Sequence, residues 1–208
     1  MMLTMALAKG RLAEQTIALL EGMGIDCAEV RNPGRKLVLS EPSNAFRFML
    51  VKPADVPTYV DHGVADVGVA GKDTLMEENK PLYELLDLRF GLCRLCIAGS
   101  QAQHEAALRG ARYRVATKYP NIAENLYAAR GQSIEIIRLG GSVELAPLVG
   151  LSDVILDIVE SGNTLAANGL TVLEEVCPVS ARLVVNRVSL KTKTREIRAL
   201  VEAFKIQL

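Results

Sequence analysis

The residues best suited to chemistry fall in one segment: Val154-Ile155-Leu156-Asp157-Ile158-Val159-Glu160-Ser161-Gly162-Asn163-Thr164-Leu165. An apolar run reads as a buried strand that carries an acid near its end. A small, hydroxyl-bearing loop then opens a helix from Thr164. A carboxylate in that place can accept hydrogen bonds from sugar hydroxyls. The loop N–H groups and the Ser161 and Thr164 hydroxyls can hold a phosphate, because glycine lets the backbone come close and a helix start favours negative charge. Taken alone, the segment also reads as an ordinary strand–helix turn with a threonine cap.

Four further loops share this composition: Lys9-Gly10-Arg11, Gly71-Lys72-Asp73, Thr117-Lys118 and Gly141-Ser142. Each follows an apolar run, and ligands of open α/β sheets bind at the carboxyl ends of strands. Other chemistries find less support. Cys93 and Cys96 form a CxxC without a second ligand pair, too few for structural zinc. They lie in GLCRLCIAG, which reads as a strand, where residues three apart point to opposite faces. His62 and His104 stand apart, so a hydrolase triad has little basis.

The elements that must position these loops alternate. Strands are expected at 3–8, 46–51, 65–70, 85–90, 92–98, 113–116, 134–139, 154–159 and 182–188. Helices are expected after Arg11, over 56–62, after Asn121, over 143–148, after Thr164 and around Ile197–Phe204. Residues 99–110 are polar and Ala-rich, a loop or short helix near a domain boundary. This rhythm predicts an α/β fold with helices on a mostly parallel sheet. With 208 residues, half of them apolar, the chain can bury a real core. Lys+Arg and Asp+Glu are both 24, tryptophan is absent and aromatics are 4%. That argues against a nucleic-acid surface. No apolar run reaches the roughly 18 residues of a membrane span, and the N-terminus has no secretory charge order, so a cytoplasmic protein is expected.

Residues Glu144 through Leu165 resemble the signature of the ATP phosphoribosyltransferase family, which opens histidine biosynthesis. Other segments match that family in order: Ala8-Lys9-Gly10-Arg11-Leu12, Asp55-Val56-Pro57, Gly63 to Gly68, Gly91 to Leu95 and Ala116 to Asn121. Ala8 stands where members often carry proline, and Lys52 where many carry arginine. Lysine keeps the charge but not the planar fork.

The resemblance implies a two-lobed fold like the type II periplasmic-binding proteins, with the active site in the inter-lobe cleft. Lobe 1 would be residues 1–92 plus 177–208, and lobe 2 residues 93–176. It implies condensation of ATP with 5-phosphoribosyl 1-diphosphate to N1-(5-phosphoribosyl)-ATP and diphosphate, with Mg2+. Ser161, Gly162, Asn163 and Thr164 would hold the 5-phosphate and Asp157 the ribose hydroxyls. Glu144 would sit near the ribose or the magnesium; no direct metal ligand is assigned beyond that. Lys9, Arg11, Arg35 and Lys52 would face the phosphates of ATP or diphosphate, with Thr117 and Lys118 as further substrate contacts. Long-form members add a regulatory domain of about 80 residues, the size of a small domain. This chain resembles the short form, which works with a regulatory subunit similar to histidyl-tRNA synthetase. A homodimer of the chain within that hetero-oligomer is expected. The rival readings are a non-catalytic small-molecule sensor on the same fold, a phosphoribosyltransferase of the single-sheet class, and a structural subunit.

Overall fold

The computed structural model describes residues 1–108 and 113–208. The expected residue 99–110 stretch is the helix Gln101–Leu108 as far as it is described; 109 and 110 lie outside the described residues. The chain forms two compact units, Met1–Gly91 with Ser180–Leu208, and Leu92–Val179.

The first unit begins β1 (Leu3–Ala8), α1 (Arg11–Gly22), α2 (Ala28–Arg31), β2 (Val38–Ser40), β3 (Phe46–Val51), α3 (Val56–Asp61), β4 (Val67–Gly71), α4 (Lys72–Glu78) and β5 (Tyr83–Asp87). The second unit is β6 (Cys93–Gly99), α5 (Gln101–Leu108), β7 (Arg114–Thr117), α6 (Pro120–Ala129), β8 (Glu135–Arg138), α7 (Leu145–Leu148), β9 (Val154–Val159), α8 (Asn163–Ala167) and β10 (Thr171–Val179). The chain returns to the first unit as β11 (Ala181–Val185), α9 (Arg187–Thr192) and α10 (Thr194–Gln207). Leu92 and residues 177–179, assigned from the sequence to the first lobe, go with the second unit, where 177–179 complete β10.

The first sheet has the order β2-β3-β1-β4-β11-β5, the second β10-β6-β9-β7-β8. The expectation of mostly parallel sheets is corrected: only β3-β1-β4 and β9-β7-β8 are parallel. Parallel neighbours need a crossover, usually helical. Helical crossovers lie between β1 and β3, β3 and β4, and β7 and β8. The chain enters β6 and β11 directly from the other unit, without a helix, and both strands run antiparallel to their neighbours.

β1 is buried at every position because both of its faces are covered, which is why it reads as a continuous apolar run. Leu3, Met5 and Leu7 pack in the cluster with Ile17 and Leu20 of α1 and Leu200 and Phe204 of α10. Ala6 and Ala8 pack in the cluster with Val56 and Val60 of α3. α1 stops where Gly24 adopts φ 80. There Gly24 N–H donates to Glu21 C=O and Ile25 N–H to Leu20 C=O, the paired bonds of a Schellman stop. The strand expected at 182–188 ends at Val185, because the Asn186 side chain accepts from Val188 N–H and Ser189 N–H and so caps α9. Asp66 secures the returning segment, accepting from Thr4 N–H, Ser189 Oγ and Lys193 Nζ. No helix among the described residues is long and apolar enough to cross a membrane.

Candidate active site

In the second unit the parallel strands β8, β7 and β9 deliver their carboxyl ends to one edge. Thr117, the last residue of β7, lies level with Arg138 of β8 and Leu156 of β9. Three loops therefore gather there: Lys118-Tyr119, residues 139–144 and Glu160-Ser161-Gly162. Asp157 follows Leu156 and is half-buried, with its Oδ1 sealed from solvent.

Thr117 departs from the contact role given to it. Its side chain is 0% exposed. The hydroxyl donates to the Leu156 carbonyl (2.6 Å) and accepts from Tyr119 N–H (2.8 Å). It thus fixes the backbone that leads into Asp157 and folds the next turn, with both hydrogen-bonding roles engaged. Lys118 is exposed, its Nζ 4.8 Å from the Tyr119 ring centroid.

The Ser161–Thr164 loop turns at a glycine into the short helix α8. Gly162 takes φ 80, ψ 0, a left-handed conformation that favours glycine. No side chain caps α8 there, so the helix start keeps donors outside the helical ladder. Asn163 N–H approaches Ser161 Oγ at 3.4 Å. Ser161, Asn163 and Thr164 are exposed, while Leu165 is buried in the core and anchors the loop. Glu144 is half-buried and directly precedes α7, after Ser142 turns the chain at φ 47.

Asp153 braces the strand from its other end. It accepts from Arg114 N–H (2.8 Å) and from the Arg114 guanidinium (2.7 and 3.3 Å). Burial alone would raise its carboxyl pKa, but the Arg114 contacts outweigh burial and hold it below the usual carboxylate value.

The first unit repeats the arrangement with cations. Ala8 and Val51 pair at the ends of β1 and β3, and Lys9 N–H donates to Val51 C=O (3.0 Å). Lys9 and Lys52, each the first residue beyond its strand, are therefore neighbours, and both are exposed. Gly10 has φ 105, ψ −155, a region reserved for glycine, and offers no side-chain cap to α1. Arg11 opens that helix on the exposed side. Lys72 stands at the equivalent end of β4, but its Nζ bonds Glu84 (2.5 Å).

Beside the Lys9-Gly10 turn lies a groove of about 530 Å³. Ala13, Ile17, Val30 and Leu50 give it apolar walls, with Lys9 and Asn32 among its polar residues. Arg35 is exposed in the loop that follows Pro33 and is not among the groove's lining residues. The groove was missed from sequence; the turn-rich run Arg31-Asn32-Pro33-Gly34-Arg35-Lys36 was its available signal. Arg31 is committed to Glu21 by two hydrogen bonds of 2.7 and 2.5 Å.

Among the described residues no group of three His, Cys, Asp or Glu side chains could form a metal cage. The CxxC is a strand feature: Cys96 is buried, and burial pushes its thiol pKa up.

Comparison with known proteins identifies the family. The family model described as HisG, ATP phosphoribosyltransferase, matches residues 52–206. An ATP phosphoribosyltransferase of Alkaliphilus metalliredigens is 56% identical, with 95% of this chain and 93% of that protein aligned. One from Lachnoclostridium phytofermentans is 54% identical over 96% of this chain and 94% of its own. A solved structure, the ATP phosphoribosyl transferase (HisG:HisZ) complex from Thermotoga maritima, superposes with TM-score 0.83 at 35% identity, covering 98% of this chain and 97% of that one. The chain belongs to the ATP phosphoribosyltransferase family, the transferases that begin histidine biosynthesis.

Proposed function

We propose that the second unit holds 5-phosphoribosyl 1-diphosphate and that the first unit's cations serve the phosphates of ATP and of the departing diphosphate. The reaction is the family's own: adenine N1 of ATP displaces diphosphate from the ribosyl C1. The nucleophile comes with the substrate, so the protein needs to position two polyanions and stabilise charge. The transition state is oxocarbenium-like, positive at the sugar and increasingly negative on the diphosphate.

In this reading Ser161, Gly162, Asn163 and Thr164 bind the 5-phosphate. Asp157 grips the ribose hydroxyls, and Glu144 lies toward the ribose. Lys9, Arg11, Arg35 and Lys52 face the ATP phosphates or the diphosphate, with Lys118 beside the phosphoribosyl group. Thr117 acts through Leu156 and Tyr119 as a positioning residue. The observation that carries this most directly is the shared edge of β8-β7-β9, where Thr117 joins the backbone of the Asp157 strand to the neighbouring loop.

Magnesium neutralises diphosphate charge and is commonly held through substrate phosphates with one or two carboxylates. Glu144 and Asp157 are the carboxylates this reading offers it, which suits a site without a protein cage. The two units are read as lobes of a type II periplasmic-binding-protein-like fold. A regulatory subunit of the HisZ kind is included, supported by the Thermotoga maritima HisG:HisZ complex. A homodimer of this chain and a cytoplasmic location complete the reading. The relatives' shared enzymatic name weighs against a non-catalytic sensor.

The test is formation of phosphoribosyl-ATP from ATP and phosphoribosyl diphosphate with magnesium, with and without a HisZ-type subunit. Product in the complete mixture is expected. A folded chain that yields none in either mixture overturns the proposal.

A further inference from the structure

The chain passes between its two units twice, after Gly91 and after Val179. The segments on either side of these crossings pair as one antiparallel ribbon. Within the second unit Cys93 lies opposite Val179. Within the first, Ala181 N–H donates to Phe90 C=O (2.9 Å), Leu88 N–H donates to Ala181 C=O (2.9 Å), and Asp87 lies opposite Arg182. Gly91, Leu92 and Ser180 stand between the two stretches of pairing.

Asp87 fastens this ribbon in the first unit. Its Oδ1 accepts from Arg89 N–H (3.0 Å) and from the Ser180 hydroxyl (2.8 Å), and its Oδ2 lies 3.1 Å from Arg182 Nη2. One carboxylate therefore holds both the outgoing and the returning chain. Arg89 takes φ 54, a left-handed conformation uncommon outside glycine. The bond from its N–H to the aspartate two residues earlier is the local turn that supports it. Burial alone would raise the Asp87 carboxyl pKa, but the Arg89 N–H, the Ser180 hydroxyl and Arg182 outweigh burial and hold it below the usual value. The Ser180 carbonyl in turn accepts from Lys72 N–H (2.9 Å), directly after β4. Leu7 of β1 lies level with Val69 of β4, so Gly71 ends β4 at the height of Lys9. The fastening thus reaches the strand edge that carries Lys9.

We propose that Asp87 is a positioning residue for phosphoribosyl transfer: it holds the outgoing and returning chain as one ribbon and so sets the orientation in which a substrate on one unit meets a substrate on the other. This rests on the proposed division of the substrates between the units. Attack of adenine N1 on the ribosyl carbon needs close alignment, and a misplacement of about 1 Å can cost roughly a hundredfold in rate. A substrate bound within one unit does not sense the ribbon. The signature of the role is therefore a lowered kcat with both binding constants kept.

Asp87→Ala removes all three contacts. Asp87→Asn keeps an oxygen for Arg89 and Ser180 and removes the ion pair. Assayed with a HisZ-type subunit, Asp87→Ala should lower kcat roughly ten- to a hundredfold. Its calorimetric affinity for ATP and for phosphoribosyl diphosphate should each change by less than about twofold. Asp87→Asn should recover part of the rate. Hydrogen exchange at the Leu88 and Ala181 amides should quicken about tenfold in Asp87→Ala, with β1 amides unchanged. Ser180→Ala removes a single bond and should move kcat and exchange the same way by about threefold, which keeps the test open where Asp87→Ala does not fold. Unchanged kcat, unchanged exchange, or weakened binding of either substrate in these variants would overturn the role. Absence of product from the unaltered chain would instead overturn the proposed function, and this role with it.

Discussion

Replacing Gly162 by alanine should separate the two substrates. A Cβ built on Gly162 lies 3.8 Å from Val159 Cγ1, an ordinary contact, so the chain itself has room for the methyl group. The cost is conformational: at φ 80 an L-residue is strained by roughly 1–2 kcal/mol. The variant either keeps the loop and loses that stability, or relaxes it and turns the amide donors away. Each charge-assisted hydrogen bond lost to the 5-phosphate is worth about 1.5–3 kcal/mol, roughly ten- to a hundredfold in affinity. Where the loop relaxes, phosphoribosyl diphosphate binding should weaken by that factor, while ATP binding should change by less than about twofold, since in the proposed function its phosphates face other residues. Gly162→Asn is the control, because asparagine tolerates the left-handed region. It should recover most of the stability yet still hinder close approach of the phosphate. Calorimetric titration with each substrate, beside thermal unfolding, reads both effects. Equal weakening of both ligands, or unchanged binding in a variant that also keeps its stability, would remove this loop from the phosphate site.

Asp157→Asn should fold normally and lose roughly ten- to a hundredfold in kcat/KM, the value of a charge-assisted bond to a ribose hydroxyl; unchanged steady-state kinetics would refute the assignment. Thr117→Val should cost about 1–3 kcal/mol in urea unfolding, because it leaves the Tyr119 N–H and Leu156 carbonyl without their hydroxyl partner. kcat/KM should fall with it, and Thr117→Ser should rescue both; a stability loss without a kinetic effect would make Thr117 purely structural. Asp153 has a lowered carboxyl pKa in the folded state, so the unfolded chain binds more protons through that window. Its contribution is complete above the ordinary carboxylate pKa and is lost as pH falls through the folded value. In Asp153→Asn the decline of stability at acid pH should be shallower; an unaltered acid slope would show that the Arg114 pair does not carry it.

The parts of the fold legible in the sequence are those whose side-chain period matches their burial. β1, β3 and β9 have the expected bounds because each is apolar where it packs and is followed directly by lysine or acid. β10 was not anticipated. Its pairing with β6 shifts register between Val172 and Glu174 and again between Glu175 and Cys177. Those irregularities break the alternation by which a strand is recognised, and Pro178 suits an edge position. β2 is three residues long with Val38 exposed, too short for a period to show. Val188 lengthened the expected β11 because its apolar side chain fits either state; the preceding asparagine cap decides for helix. In the candidate site, the Gly162 loop and Asp157 were visible because their residue types are local. The engagement of Thr117 with Leu156, 39 positions away, was not. Nor was the pairing of Lys72 with Glu84, since a cation at a strand end looks the same before its partner is known.

In the proposed function the distribution of the remaining charges follows the reaction. The chain has equal numbers of acidic and basic residues, so no global field draws anions to it. What matters is sorting. The strand ends of the first unit present Lys9, Arg11 and Lys52, while those of the second present Glu144, Asp157 and Glu160 around a glycine-bearing loop, beside the cations Lys118 and Arg138. Displacement at a ribosyl carbon makes two opposite charges at once, positive on the sugar and negative on the leaving diphosphate. In the proposed function the carboxylates serve the sugar and the cations serve the phosphates, each where its charge develops. The 5-phosphate, which does not react, needs fixed donors in the proposed function, and the start of α8 supplies backbone N–H groups for it. A lysine introduced at Ser161 tests this division. It should tighten phosphoribosyl diphosphate binding through added positive charge, yet lower kcat by placing that charge beside the sugar. If kcat and affinity rose together, the sorting of charge between the units would have no catalytic meaning.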